Sequence, residues 1–275
     1  MASTVNTVVT VKSTVTATEK PKNSMYMKRI LSFLWGMMLC LYIQAQFPYG
    51  TTGLLHMPTA DMQRDKTVMV GGSYLHEGAT PAKWNYNTYN YYLNITILPF
   101  LEVGYTCTLF RIAMPGMGLP EKFRNQDRQF SLRLRAIKEG QFWQHMPAVV
   151  IGGNDVLTTF GVQNQDYINS SENGNGYWNR WYLAATKHLN LYGELGVHAA
   201  YVYNRRADYR LNGVALGANW KPQLHPALNV MAEYDSRTVN CGLGYALWKD
   251  HINLVTELND FKYLSAGIYF KIHLK

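Results

Sequence analysis

Two pairs of charged residues have the spacing that places side chains together on one face of a β-strand. Glu233 and Asp235 are separated by one residue, and so are Arg133 and Arg135. Because residues two apart on a strand point to the same side, each pair forms a charged patch, and the patches have opposite signs. Such groups could contact a ligand or gate a passage. They could also satisfy one another in a barrel interior, since a lone buried charge is costly, and we favour this second interpretation.

Histidines and serines indicate little further chemistry. The eight histidines are dispersed, with no pair at metal-ligand spacing and no cysteine cluster, so we expect no metal centre. Ser73, Ser131 or Ser265 with a histidine could form the site of a membrane-embedded lipid hydrolase, although the chain has no G-x-S-x-G string. It also has no phosphate loop, no GxGxxG and no continuous basic and aromatic stripe. We therefore predict no catalysis, no cofactor and no nucleic acid partner.

The charged pairs must be positioned by strands, and the last segment of the chain is the clearest strand. From Tyr263 to Lys275, apolar residues alternate strictly with polar or small ones. One apolar and one polar face is typical of a strand in an outer-membrane β-barrel. The spacing of Gly267, Phe270 and Ile272 is similar to the C-terminal insertion signal of that class, with Leu274-Lys275 in place of the usual final aromatic residue.

Period-two segments recur along the chain and predict an all-β fold. Twelve strands are expected, with ten to fourteen as alternatives, at 67–75, 87–98, 101–112, 127–138, 147–156, 178–188, 191–203, 210–221, 226–235, 238–248, 251–259 and 262–274. Most have the length needed to cross a bilayer at a barrel's tilt. Long connections at 76–86, 113–126, 157–177 and 204–209 fall on one side of this transmembrane, antiparallel, up-and-down barrel. That layout is typical of outer-membrane proteins.

The alternation also assigns faces. Tyr89, Tyr91 and Leu93 are expected to face lipid, opposite Asn90 and Asn94. The candidate residues for lining the lumen are Asn90, Asn94, Arg133, Arg135, Glu194, His198, Glu233, Asp235 and Glu257. Eight aromatic residues near strand ends are expected at the lipid headgroups, namely Trp84, Tyr86, Trp178, Trp181, Tyr182, Trp220, Trp248 and Tyr263. Strand glycines, including Gly217 and Gly242, fit either tight curvature or close filling by side chains from across the lumen.

The N-terminal region predicts export. Residues 25–45 have a basic start and a short apolar run, which indicates a signal peptide cut after Ala45; the alternative is a lipoprotein signal at Cys40, although Leu39 is not the small residue that such signals need. Residues 1–24 are interpreted as a mis-called upstream start or as disordered. Residues 46–66 are expected to be periplasmic or to plug the barrel, and residues 67–275 form the barrel. Five basic residues and one acidic residue precede residue 46, so the net charge of +8 falls to +4 and says little about partners.

Several strings resemble the YjbH family of exopolysaccharide-associated outer-membrane proteins. They are Gly50–Ala60 (GTTGLLHMPTA), Asp127–Ser131 leading to Pro147–Asp155, Tyr182–Lys187, and Ala232–Ser236 followed by Val239–Leu243. The resemblance covers most of residues 47–270. It implies an integral outer-membrane component that assists production or export of an extracellular polysaccharide.

The predicted location is therefore the outer membrane of a Gram-negative bacterium. The partners expected are outer-membrane lipid, extracellular polysaccharide and other export proteins. A structural or adhesive barrel with a plugged lumen is the first alternative, and a membrane-embedded lipid hydrolase is the second. Cys107 and Cys241 could form a disulfide, but unpaired thiols are the preferred interpretation.

Overall fold

Alternating apolar and polar residues form twelve antiparallel strands in the computed structural model. The structure describes residues 46–80, 84–155, 178–204 and 211–274, so the predicted leader and the segment 1–24 lie outside the described residues. The strands are β1 Thr67–Leu75, β2 Thr88–Leu98, β3 Leu101–Met114, β4 Leu119–Ile137, β5 Ala148–Asn154, β6 Arg180–Asn190, β7 Gly193–Tyr203, β8 Gly213–Pro222, β9 Leu228–Tyr234, β10 Val239–Leu247, β11 Ile252–Asn259 and β12 Tyr263–His273. Single-turn 3₁₀ helices lie at Glu77–Ala79 and Pro115–Met117.

The twelve strands close into a barrel in which each strand pairs with its neighbours in sequence. The seam joins β1 to β12 in antiparallel register, from Thr67 opposite His273 to Tyr74 opposite Ala266. Closure leaves no strand edge unpaired, as is required of a sheet surrounded by hydrocarbon. The predicted all-β, up-and-down architecture and strand count are confirmed. We call the end at which β1 begins and β12 ends the terminal rim, and the other end the opposite rim.

The two faces of the wall differ as the alternation predicts. On β12, Leu264, Ile268 and Phe270 are exposed on the outside, while Ser265 and Tyr269 between them are buried in the interior. The same pattern holds on β2, where Tyr89 and Tyr91 point outward and Asn90 inward. The wall therefore has an apolar outer surface and a largely polar interior.

One predicted loop is wrong. Residues 113–126 were expected to form a loop, but β3 and β4 remain paired beyond the rest of the barrel, up to Met114 opposite Leu119. Among the described residues, β2 accompanies β3 only as far as Thr108, and β5 accompanies β4 only from Ser131. Residues 109–126 therefore form a two-stranded ribbon at the opposite rim, which extends roughly 20 Å beyond the wall along the strand direction at the usual strand rise.

Residues 46–63, which we call the plug, lie inside the barrel. Their largest side chains are buried, including those of Phe47, Tyr49, Leu54, Leu55 and Met57. The plug reverses direction at a tight turn, in which Gly53 bridges to Pro58 and the Leu54 amide donates to the Met57 carbonyl (3.1 Å). It then leads through residues 64–66 into β1 at the terminal rim.

Cys107 is buried and Cys241 half-buried, and both are free thiols. No helix among the described residues is long and apolar enough to cross a membrane.

Candidate functional site: the plugged lumen

The turn of the plug is held by the carboxylate of Glu233. The main-chain amides of Leu55, His56 and Met57 all donate to it, at 3.0, 2.8 and 3.1 Å. A carboxylate that accepts several main-chain N–H groups in a buried site makes strong, charge-assisted hydrogen bonds. Glu233 thus fixes the position of the turn relative to β9.

A buried ion pair holds both limbs of the plug. Arg133 Nη1 donates to Glu102 Oε2 (2.8 Å), and both side chains are fully buried. Arg133 also donates to the Thr59 and Asp61 carbonyls (2.7 and 2.8 Å), while Glu102 accepts from the main chain and hydroxyl of Thr52 (2.8 Å each). Because each ion of the pair is further hydrogen-bonded to the plug, the desolvation that opposes a buried pair is offset.

A second buried arginine anchors the start of the plug. Arg180 donates to the Gln46 side chain (2.7 Å), to the His56 carbonyl (3.0 Å) and to Asn154 of β5 (2.7 Å). Its guanidinium also lies over the ring of Tyr49, 3.2 Å from the centroid. The two limbs of the plug are therefore tied to each other through one wall residue.

His56 projects from the turn toward acidic wall residues. Its Nε2 lies 2.7 Å from Glu257 Oε1, and both side chains are buried. Burial by itself lowers the pKa of His56, but the carboxylates of Glu257, Glu233 and Asp235 outweigh it and hold the pKa above its ordinary value. The imidazolium is thereby favoured, and it places one positive charge among three carboxylates.

Glycines of the wall make room for the turn. A Cβ on Gly217 would lie 2.6 Å from both Leu54 Cδ2 and Met57 Sδ, and a Cβ on Gly242 would lie 2.5 Å from Leu55 Cδ2. Of the two predicted roles for these glycines, the structure shows close filling from within the lumen. Apolar side chains of the turn thus pack directly on the backbone of β8 and β10.

Polar contacts continue toward the terminal rim. The Ala60 amide donates to Thr186 Oγ1 (2.8 Å), and that hydroxyl is 2.9 Å from His198 Nδ1. Asp61 Oδ1 lies 3.4 Å from His188 Nε2, and His188 Nδ1 lies 2.7 Å from Glu139 on the connection between β4 and β5. Burial opposes ionisation of Glu139, but hydrogen bonds from His188 and Lys187 outweigh it and hold its pKa below the ordinary value.

The predicted lumen residues divide between plug contacts and other positions. Glu233, Glu257, Arg133 and Asn90 contact the plug directly, Asn90 through the Phe47 carbonyl (2.5 Å). His198 lies 3.9 Å from Asp61, and Asn94 donates to Glu102 (2.7 Å). The remaining three bond elsewhere: Asp235 accepts from the turn that follows β9, Glu194 pairs with Lys221 at the terminal rim, and Arg135 donates to the Pro99 carbonyl. The structure therefore brings together Glu233 and Arg133 around the plug, whereas Arg135, on the same face of β4 as Arg133, bonds to Pro99 and not to the plug.

Sequence reasoning missed several residues of this site. Glu102 alternates with the outward residues Leu101 and Val103, and Arg180 precedes the outward Trp181, so strand alternation could have identified both. Gln46, Thr52 and the main-chain groups of the turn carried no such signal. They lie in a segment without periodicity, whose location sequence left open.

The predicted aromatic belt is partly wrong. Trp181, Trp220 and Trp248 are exposed on the outside, but Trp84, Tyr86, Trp178 and Tyr182 are buried. The rings of Tyr49, Trp178, Trp84 and Tyr86 form a chain with successive centroids 5.7, 6.3 and 5.7 Å apart. The rings run from the plug to the opposite rim. Stacked and edge-to-face contacts between aromatic rings are favourable, and they hold these residues in the interior.

Two of the three serines considered for catalysis have other partners. Ser131 Oγ accepts from Asn154 (2.5 Å), and Ser265 Oγ accepts from the main-chain amide of His76 (3.2 Å). Among the described residues, no group of three or more His, Cys, Asp or Glu side chains is arranged to hold a metal ion. The predicted long connection at 157–177 lies outside the described residues.

Solved structures similar to this chain include outer-membrane proteins. The Salmonella typhi outer membrane phospholipase, solved as a dimer with bound calcium, is 13% identical over 80% of this chain and 94% of that chain, with a TM-score of 0.35. The Escherichia coli outer membrane phospholipase A is 12% identical over 77% and 97% (TM-score 0.32). The Acinetobacter baumannii outer membrane protein Omp33 is 10% identical over 76% and 99% (TM-score 0.33).

The sequence comparison is more specific. No curated protein matches the chain at a significant level. A family model, YjbH, described as exopolysaccharide biosynthesis protein YbjH, matches residues 45–238, which include the plug and the strands β1 to β9. The strings that suggested this resemblance also meet in space, because the turn of Gly53–Ala60 is bound by Glu233 of Ala232–Ser236. The chain belongs to the YjbH family of exopolysaccharide biosynthesis proteins.

Proposed function

We propose that this protein is an integral outer-membrane barrel that assists export or assembly of an exopolysaccharide, with the plug as a movable closure of the lumen. The apolar outer wall suits a bilayer, and the family links the chain to exopolysaccharide biosynthesis. In this proposal the terminal rim faces the periplasm and the opposite rim faces the outside. The protein performs no catalysis, and its partners are lipid, the polymer and other export proteins.

The observation that carries the proposal is the way in which the plug is held. Its anchors are hydrogen bonds and ion pairs from Glu233, Arg133 and Arg180. Such groups can be satisfied equally by water or by the hydroxyl groups of a sugar once the plug has moved. An interior of this kind accommodates both a closed state and a state that contains hydrated polymer.

The alternative is a structural barrel that stays closed. The density of anchors favours it, because every contact named above would have to break before the lumen could open. A disulfide between plug and wall separates the two functions. The Ala60 amide lies 2.8 Å from Thr186 Oγ1, so cysteines at 60 and 186 are close enough for a cross-link test.

The experiment compares a gene deletion with three complementing chains. Cys107 and Cys241 are first replaced by Ser, and this background carries either no further change, Ala60→Cys alone, or Ala60→Cys with Thr186→Cys. We expect deletion to lower surface polysaccharide, and the first two chains to restore it. The double-cysteine chain should restore it only with a reductant present. Unchanged polymer after deletion refutes the role in polysaccharide export, and full rescue by the oxidised double-cysteine chain refutes the movable plug.

A further inference from the structure

The ribbon at residues 109–126 has an excess of positive charge. Arg111, Lys122 and Arg124 are exposed on it, and Glu121 is its single acidic residue. None of the three cations makes an ion pair with another of the described residues. An excess of exposed cations on a projecting hairpin attracts anions from solution.

Arg111 is held in a fixed orientation. Its guanidinium carbon lies 4.7 Å from the ring centroid of Tyr86 and 4.8 Å from that of Phe123. The Arg111 main-chain amide also donates to the Tyr86 hydroxyl (2.9 Å), and Trp84 stacks on Tyr86 at 5.7 Å with an interplanar angle of 8°. Contact with these two rings restricts the orientations of the guanidinium, whose N–H edge matches a carboxylate in a bidentate manner.

We propose that the ribbon binds a carboxylated, anionic polysaccharide. Arg111 would contact a sugar carboxylate with its N–H edge. Lys122, which alternates to the other face of the ribbon, and Arg124 add long-range attraction for the charges of the polymer. The half-exposed ring of Phe123, next to Arg111, offers an apolar surface for the face of a sugar ring. The inference rests on the proposed function for the source of the polymer, because a polysaccharide that leaves the lumen at the opposite rim meets this ribbon.

The test uses the purified full chain in detergent micelles free of lipopolysaccharide. Polygalacturonate is the anionic probe and dextran the neutral one, and the dissociation constants are measured at low and at moderate salt. We expect binding of polygalacturonate that weakens with salt, and no binding of dextran. Lys122→Gln with Arg124→Gln should weaken binding about five- to tenfold, as expected for two exposed charges.

Two further variants distinguish a binding site with defined geometry from nonspecific attraction by positive charge. Arg111→Lys keeps the charge but loses the planar edge, and should weaken binding about threefold or more. Lys262→Gln removes an exposed cation from the opposite rim, where Lys262 pairs with Asp260 (3.2 Å), and should change binding less than twofold.

Three results would overturn the inference. They are equal binding of dextran, an equal loss with Lys262→Gln, or, in a parallel test, binding to lipopolysaccharide without any binding to polygalacturonate, which would assign the cations to lipid phosphate. None of these results bears on the gene deletion. A failed binding test with a lowered polymer level removes the ribbon site alone, whereas unchanged polymer after deletion removes the proposed function.

Discussion

At the scale of single residues, Glu233 is the group on which the turn of the plug depends most directly. Glu233→Gln replaces one carboxylate oxygen with an amide NH2 group, a donor that faces main-chain N–H donors, so at least one of three hydrogen bonds is lost. We expect the free energy of unfolding to fall by about 3 kcal/mol, as for the loss of buried hydrogen bonds to a charged group. The measurement is the temperature at which the folded band on a detergent gel converts to the unfolded band.

The matched control is Glu194→Gln. Glu194 is half-buried at the terminal rim, where it pairs with Lys221 at 2.7 Å, and the loss of such a pair costs about 1 kcal/mol or less. If both substitutions lower the transition temperature equally, Glu233 does not hold the plug in the way described.

The charge of His56 gives the plug a dependence on pH. Glu257, Glu233 and Asp235 raise the pKa of His56 in the folded chain. The stabilisation from its charge is therefore fully present below about pH 6.5, the pKa of histidine in the unfolded chain. That contribution is lost as pH rises through the higher folded pKa. Between pH 6 and pH 9, we expect the transition temperature on the detergent gel to fall by more in the native chain than in His56→Gln. Identical slopes would show that other groups account for the pH dependence.

Residue types alone predicted that Glu233 faces inward, but not what it binds. Alternation with Ala232 and Tyr234 places the side chain in the interior. Its donors, however, lie 176 to 178 residues earlier in the chain and are main-chain groups. Any residue except proline supplies such a donor, so the sequence at 55–57 carries no sign of this contact.

At the scale of elements, the plug and the wall fit because β8 and β10 lack side chains where the turn packs. In Gly242→Ala, the new Cβ would lie 2.5 Å from Leu55 Cδ2 and 2.6 Å from the Thr256 carbonyl oxygen. Leu55 belongs to the turn, which must shift to relieve the first contact, whereas the Thr256 carbonyl belongs to β11 and requires a local adjustment of the wall. We expect a destabilisation of about 1–3 kcal/mol, as for overpacking, together with faster protease cleavage within the plug.

Gly104→Ala is the control for that substitution. Its Cβ would lie 3.3 Å from Asn94 Nδ2 and 3.4 Å from Ser131 Cβ and Thr51 Cγ2, and small movements of these side chains relieve the contacts. Protease sensitivity that rises equally in both variants would mean that the plug is not seated on Gly242.

The elements could be predicted to different degrees. The twelve strands follow from alternation because lipid outside and polar groups inside constrain every second residue. The ribbon was mistaken for a loop since, above the wall, neither face of a strand is constrained in this way. Pro115, Gly116, Gly118 and Pro120 add turn signals that mark only its tip. The plug has no periodicity because its main chain is held by side chains of the wall instead of by a neighbouring strand.

At the scale of the whole molecule, the interior and exterior of the barrel depend on each other. The wall can present apolar residues to lipid only if its alternate residues, among them Glu102, Arg133 and Glu233, find polar partners inside. The plug provides those partners in this structure. In the proposed open state these charged groups must be hydrated or bound by ligand, so the proposal requires that water or polymer enter the lumen.

The outer wall gives the most direct test of the membrane assignment. Leu132 lies on the exposed face of β4 near the middle of the wall, and Leu264 lies on the same kind of face at the beginning of β12, near the opposite rim. Leu132→Arg should cost about 2–4 kcal/mol for folding into lipid vesicles, and Leu264→Arg about 1 kcal/mol or less, because the penalty for charge falls from the midplane to the interface. Denaturant titration of the refolded chains in vesicles measures both values. Equal, small costs at the two positions would mean that this face does not lie in hydrocarbon, since only a bilayer makes the penalty depend on depth.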